Sequence, residues 1–349
     1  EYDGGAQNVL ADDYYNLEID QSGTKTAQGT ITAAGTLTVQ SGSTYDLEAT
    51  TTTVTGTSTI AGTLNIDGSG VYDGNGDFAA SGIITMDGTA RLQLSAASSG
   101  VSSLGTLDNA AGTVEYDGGD AQTVLSDTYF NLELDGDGSG AKSAGGAITV
   151  NGDFTAISNC ERYETSSYLT NVIGSTDIDS ELRINNNSGV FDADGNFNAT
   201  GATINFTTND GTLRLATNPT SLGTFSNTTK GKVVYNGAAM QVTAFTYHDL
   251  AIKNGNTKTA QGAVNVIGDI TVDGSTIYDI AATTTTVTGT STISGTLNIN
   301  GSGVYDANGD FAASGAITMA GTARLQLSAA NSGVSNLGSL DASAGTVEY

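Results

Sequence analysis

The chain has few of the residues that most often carry chemistry. Its 349 residues include one cysteine (Cys160), one histidine (His248), one proline and no tryptophan. One cysteine excludes an intrachain disulfide framework, and with one histidine it excludes a Cys/His zinc site within the chain. Cations are scarce too: 11 Lys+Arg stand against 37 Asp+Glu, a net charge of −26. Nucleic acid and anionic membrane surfaces both call for basic patches, so neither is expected as a partner. No apolar run approaches the roughly 18 residues needed to cross a bilayer, and no membrane insertion is expected. Helical patterning is also missing. There is no i, i+3, i+4, i+7 stripe of useful length, and Gly and Thr are poor helix formers. Charged residues make up only 14% and hydrophobic residues 38%; that balance, with the hydrophobics in strict order, opposes disorder.

What is present is repetition. Glu1-Tyr2-Asp3-Gly4-Gly5-Ala6-Gln7 returns as Glu115-Tyr116-Asp117-Gly118-Gly119-Asp120-Ala121-Gln122, and more loosely around Val234-Tyr235-Asn236-Gly237. The recurring tyrosines Tyr2, Tyr116, Tyr235 and Tyr349 mark a long period that is equal in the first and third copies and slightly longer in the second. Residues 46–116 and 279–349 align without a gap and differ at 12 of 71 positions. The predicted divisions are 1–114, 115–233 (diverged, with insertions) and 234–347, with 348–349 opening a further repeat. Both ends fall inside the same motif, which points to an excerpt cut in phase from a longer array.

A shorter motif recurs within each long repeat: a strand with two apolar residues flanking a polar one. Repeat one has Leu17/Ile19, Leu37/Val39, Leu64/Ile66, Leu92/Leu94 and Val114/Tyr116. The polar residue between is broken only by Val234 and Ala251. Period-two alternation buries one face and solvates the other. A strand of this kind recurs at short, repeated intervals, with Gly, Asn and Asp at corners. That pattern predicts an all-β parallel β-solenoid (β-helix), right-handed. One motif per coil gives about five coils per long repeat and about fifteen in all. The rival is three tandem β-sandwiches, which explain the long period but not the short one.

The run Tyr14-Tyr15-Asn16-Leu17-Glu18-Ile19, then Ser22-Gly23-Thr24-Lys25-Thr26, then Gly35-Thr36-Leu37-Thr38-Val39, resembles repeats in very large surface proteins of Bacteroidota-type bacteria. Gly112-Thr113-Val114-Glu115-Tyr116 fits the same pattern. The resemblance implies a secreted, cell-surface, non-catalytic segment of an adhesin stalk or filament. Its partners would be further copies of the same repeat, with surface glycans as a second possibility. A glycan- or calcium-binding adhesin module and a β-helix carbohydrate-active enzyme are the alternatives.

No catalytic or cofactor residue is predicted, and Ca²⁺ is the only ligand the motifs raise. Asp135, Asp137 and Ser139 have the one-three-five oxygen spacing of a calcium loop, but Gly146 stands where a bidentate Glu belongs. Asp73/Asn75/Asp77, Asp306/Asn308/Asp310 and Asp192/Asp194/Asn196 share the spacing. All read equally as Asx turns at solenoid corners. The runs Thr50–Thr55 and Thr283–Thr288 read as exposed strand surface. Lys25, Lys142 and Lys258 share one register, as do Arg91, Arg214 and Arg324; both sets are expected to pair with carboxylates at the surface. His248 reads as a turn residue. The diverged stretch 157–173, with Cys160, Arg162, Tyr163 and Tyr168, reads as an expanded loop and a candidate contact.

The joints between long repeats give the sharpest expectation. Stacking each last strand under the next first strand sets Glu1 beside Glu18, Glu115 beside Glu133, and Val234 beside Ala251. Two exposed carboxylates about 4.8 Å apart need a proton, a cation side chain or a divalent ion such as Ca²⁺ between them.

Overall fold

The computed structural model describes residues 1–349 apart from 98, 109, 186–187, 207–210, 227–228, 330–332 and 342. The described residues form strands, turns and bends, with no helix among them. They divide into two compact units, Glu1–Arg183 and Ile184–Tyr349. The division falls inside the second long repeat and not at residue 114 or 233.

In the first unit each turn of chain lays down three short strands, one per face. Leu37–Val39, Ser43–Asp46 and Thr51–Val54 make one turn; Ser58–Ile60, Thr63–Ile66 and Val71–Gly74 make the next. Leu37 opposes Ser58, Thr44 opposes Thr63 and Thr51 opposes Val71, all in parallel and each one turn apart. Alternation then decides burial. The inward column Ile31, Thr52, Tyr72, Leu92, Val114, Leu132, Phe154 and Thr176 is stacked residue on residue and buried throughout. It passes residue 114 without a break. The second unit is built alike: Phe191, Leu213, Val233, Leu250, Ile270, Ser291 and Phe311 form one buried column that passes residue 233. The solenoid is therefore the fold, with about 16 turns in the two units together, and the tandem sandwiches are excluded.

One expectation needs correction. The motifs do not stack one per coil. Leu17/Ile19 and Leu37/Val39 share a face, Leu64/Ile66 lies on the next face, and Leu92/Leu94 and Val114/Tyr116 lie on the third. The wide steps in the series, Leu37 to Leu64 and Leu64 to Leu92, are each a whole turn plus one face. Following Tyr2 up its own face passes Ile19, Val39, Ile60, Ala80 and Leu104. That is five turns. Two further faces then bring the chain to Tyr116, which pairs with Leu134 on a different face. The second unit repeats the step: Tyr235 pairs with Ile252, five turns follow, and Thr346–Glu348 joins another sheet against Arg324–Leu327. Each long repeat is thus five and two-thirds turns.

Corners are set by backbone approach. A Cβ on Gly82 would lie 1.8 Å from the Gly62 carbonyl oxygen, and one on Gly56 would lie 2.2 Å from that of Gly35. No side chain fits at these two corners, which need glycine for space; at Gly42 there is room for a Cβ, and the positive φ of 85° is what favours glycine.

The interior is not purely apolar. Nine tyrosines are fully buried, and their hydroxyls are satisfied in a pattern that recurs with the repeat. Tyr45 meets Thr52 at 2.7 Å, Tyr163 meets Thr170 at 2.6 Å, and Tyr278 meets Thr285 at 2.9 Å. Thr52 and Thr285 are therefore buried partners and not the exposed surface expected of their Thr runs. At the joints a closed circuit forms. The Leu125 N–H donates to the Tyr116 oxygen, the Tyr116 hydroxyl donates to Tyr129, and the Tyr129 hydroxyl returns to the Leu125 carbonyl, at 3.2, 3.2 and 2.8 Å. Tyr2/Tyr14 with Leu10, and Tyr235/Tyr247 with Thr243, repeat it.

The three lysines also lie inside. Lys25, Lys142 and Lys258 are fully buried and bind chain oxygens, not carboxylates. Lys25 Nζ donates to the Gln21 carbonyl at 2.6 Å, Lys142 Nζ to Gln122 Oε1 at 2.6 Å and to the Gly118 carbonyl, and Lys258 Nζ to the Gly255 carbonyl. Desolvation lowers the pKa of Lys142 and of Lys258. The stretch 157–173 is likewise regular coil: Arg162–Glu164 and Leu169–Val172 are strands, and Tyr163 is buried on Phe154 at 5.1 Å between ring centroids.

Two measurements check this interior. Leu64→Ala should lower stability in urea unfolding by about 3 kcal/mol through the cavity it leaves. Asn65 faces outward but lies between Asp46 and Asp67, at 3.2 and 2.8 Å; Asn65→Asp should cost about 1 kcal/mol and recover in high salt. Alkaline unfolding should be steep. Burial raises Tyr116 to about 12 and holds Tyr129, Tyr235 and Tyr247 above their ordinary value. A group raised on folding stabilises fully below its unfolded pKa, about 10, and loses that contribution as pH climbs toward the folded value. The phenolate absorbance of the nine buried tyrosines should therefore appear together with loss of β circular dichroism above about pH 10, and not before it.

Candidate functional site

Charged side chains that face outward on strands gather at the first joint, as they do at Arg162, Glu164, Glu181 and Arg183 within the second repeat. At the joint of the first unit, Thr113–Tyr116 lies between Arg91–Leu94 and Asn131–Leu134. Register places Glu115 directly beside Glu133. Arg91 Nη2 bridges the two acids, at 2.6 Å from Glu115 Oε2 and 3.0 Å from Glu133 Oε1. Gln93 Nε2 adds a bond to Glu115 Oε2 at 2.8 Å. The cation that joins the carboxylates is thus an arginine one turn below. Arg324 holds the same place, but Arg214 does not share the register expected of it: Thr212 stands where Arg91 does, and Arg214 stands where Gln93 does. Glu115 is only 4% exposed, so it is a buried carboxylate and not the solvated one expected. Burial alone would lower the Arg91 pKa; its bonds to Glu115 and Glu133 outweigh that and raise it.

The counterparts show what the sequence varies. Arg324 and Gln326 hold Glu348 as Arg91 and Gln93 hold Glu115. Near the start, Tyr2 bridges to Ile19 and sets Glu1 beside Glu18, which accepts from Gln40 at 2.8 Å. In the second unit the register pair is Val234 and Ala251, 5% and 1% exposed. Arg214, the register partner of Val234 on one side and of Asp192 on the other, reaches to Asp192 at 3.1 Å.

The calcium-spaced loops are occupied by their own backbone. Asp137 Oδ1 accepts from the Ser139 N–H at 3.1 Å and lies 2.5 Å from the Ser139 hydroxyl, which lowers the exposed Asp137. Asp135 Oδ1 accepts from Gly136 N–H at 2.6 Å. These are Asx-type turns. Asn75 and Asn308 donate backbone N–H to Val54 and Val287 at 2.9 and 2.8 Å. The Asp77 and Asp310 carbonyls accept from Ser58 and Ser291, both at 2.8 Å, so both loops are corners tied to adjacent turns. Asp73 and Asp306 stand on the strands before them. Burial, then Asp192, raises Asp194, and Asn196 Oδ1 accepts from Thr220 at 2.9 Å. Among the described residues, no three His, Cys, Asp or Glu side chains converge as a metal set.

Cys160 is buried and its thiol is pushed up to about 11 by desolvation, which makes it a poor nucleophile. His248 sits at the bend between Thr246–Tyr247 and Asp249–Ile252, with Nδ1 at 3.3 Å from Asp249 Oδ1.

A feature that strand spacing alone did not raise lies on the outer face of the second unit. Arg214, Lys232, Val234, Asn236 and Lys253 line an open groove of about 540 Å³. Aligning residues 113–135 with 232–253 locates it in the sequence: Thr113, Glu115, Asp117, Glu133 and Asp135 become Lys232, Val234, Asn236, Ala251 and Lys253. Comparison with protein-family models, curated proteins and solved structures finds no match to this chain.

The arginine bridge makes a direct expectation. Arg91→Gln should destabilise the chain by about 2 kcal/mol, because Glu115 stays buried beside Glu133 without its cation. Adding Glu115→Val and Glu133→Ala, the residues of the other joint, should restore most of the loss in thermal unfolding.

Proposed function

We propose that the chain is a structural segment of a long extracellular filament or adhesin stalk, non-catalytic, whose work is to span distance. The observation that carries this reading is the unbroken parallel ladder through the repeat borders at 114 and 233, in which one long repeat joins the next by the same strand pairing found within a repeat. Such a border adds no hinge, so length grows with repeat number. The polar groups that recur do structural work: tyrosine circuits close the corners, and arginines neutralise stacked acids. The partners on this reading are further copies of the same repeat. A cell-surface location follows from the resemblance to surface-protein repeats and from a surface that is strongly acidic.

The test is made on the organism that carries the gene. Antibodies against the chain should label unpermeabilised cells, and removing one in-phase long repeat should shorten the labelled structure by about 27 Å, five and two-thirds turns at about 4.8 Å each. Label confined to permeabilised cells, or a length that ignores repeat number, would overturn the proposal.

A further inference from the structure

The groove on the second unit reverses the charge of its sister surface. The first joint presents four carboxylates and no lysine at 113, 115, 117, 133 and 135; the second presents two lysines and no carboxylate at the aligned positions. In a chain with 11 cations and net charge −26, placing Arg214, Lys232 and Lys253 around one depression is a marked departure.

Acids share this surface and pair with two of the three cations. Asp192 takes one donor of the Arg214 fork at 3.1 Å and leaves others. Asp249, the register partner of Lys232, accepts from the Asp269 N–H at 2.9 Å through Oδ1. Asp273 lines the groove as well and lies 3.6 Å from Lys253. Lys232 has no ion pair among the described residues.

Two other features narrow the ligand. The floor is Val234, flush with Ala251 and nearly covered, which offers a small apolar shelf between the cations. On the wall, Asn236 Oδ1 is buried with no hydrogen-bond partner, an acceptor that calls for a donor. Charge, an apolar shelf and an unpartnered acceptor together match a ring with a carboxylate, a C–H face and hydroxyls.

We propose that this groove binds the carboxylate-bearing sugar units of an acidic polysaccharide. Arg214 and Lys232 take the carboxylate, Val234 carries the ring face, and Asn236 accepts a sugar hydroxyl. The site stands independently of the spacer reading, since a spacer needs no ligand.

The test titrates the full chain with short oligogalacturonates, with neutral malto-oligosaccharides of equal length, and with polyglutamate. The oligogalacturonate should bind, more weakly as salt rises, and the neutral sugar should not. The variant Lys232→Thr/Val234→Glu/Lys253→Asp installs residues that the first joint already accommodates. It should weaken binding by about tenfold or more with melting little changed. Should that variant unfold, Lys232→Gln alone should still weaken binding about threefold. Unchanged affinity in the variants, equal affinity for the neutral sugar, or tighter binding of polyglutamate would overturn the proposal, the last in favour of an acidic protein partner.

Discussion

Each turn of this chain exposes its inward face to nothing but the turns above and below it. A strand such as Thr63–Ile66 buries Leu64 and Ile66 only because Ser43–Asp46 lies on one side and Ile83–Met86 on the other, in register. A single coil has no core of its own, so parallel registration is the condition for every other feature. A slip of one residue would turn Leu64 outward and Asn65 inward. Corner glycines follow from the same stacking, since turns lying this close leave no room for a Cβ at Gly56 or Gly82.

The long repeat and the turn do not share a period. Because one long repeat makes five and two-thirds turns, each copy of the joint motif lands on a new face, yet residues equal in sequence keep equal neighbours along the stack, Leu64 between Tyr45 and Ile84 and Leu297 between Tyr278 and Ile317. The interior tolerates this because its three faces are chemically alike. Apolar residues dominate each of them, and tyrosines reach across with hydroxyls that end on a Thr, a Ser, another Tyr or a backbone carbonyl. Where a hydroxyl partner is missing the fold persists with a flaw: Thr176, at the position of Ser58, is buried without one, whereas Ser58 is held by Tyr72 at 2.7 Å.

Outward positions are freer, and variation collects there. The acid pair Glu115 and Glu133 works because Arg91 stands one turn below in the same column. Replacing both acids by Val234 and Ala251 removes the need for that bridge: Thr212 stands in the place of Arg91, and Arg214, in the place of Gln93, pairs with Asp192. One architectural position thus serves as a neutralised lattice in one copy and as an open basic groove in another. The strand pairing is the same in both; the difference lies in side chains on the outward face of the ladder.

The strand content, the parallel solenoid, the inward identity of Leu64 or Leu297, and the vertical pairing of Glu115 with Glu133 were legible in the sequence, because period-two alternation and repeat alignment are local or additive signals. Three things were not. The face step at each joint depends on the true turn length, which the spacing of apolar pairs disguises by mixing whole turns with thirds. The burial of Lys25, Lys142 and Lys258 depends on carbonyls of the same coil and its neighbour converging inside, so a residue type that almost always faces water faced inward instead. The groove depends on Arg214, Lys232 and Lys253, which are far apart in the chain and meet only because each stands about one turn from the next. Sequence sets which residues alternate; stacking alone decides which of them become neighbours.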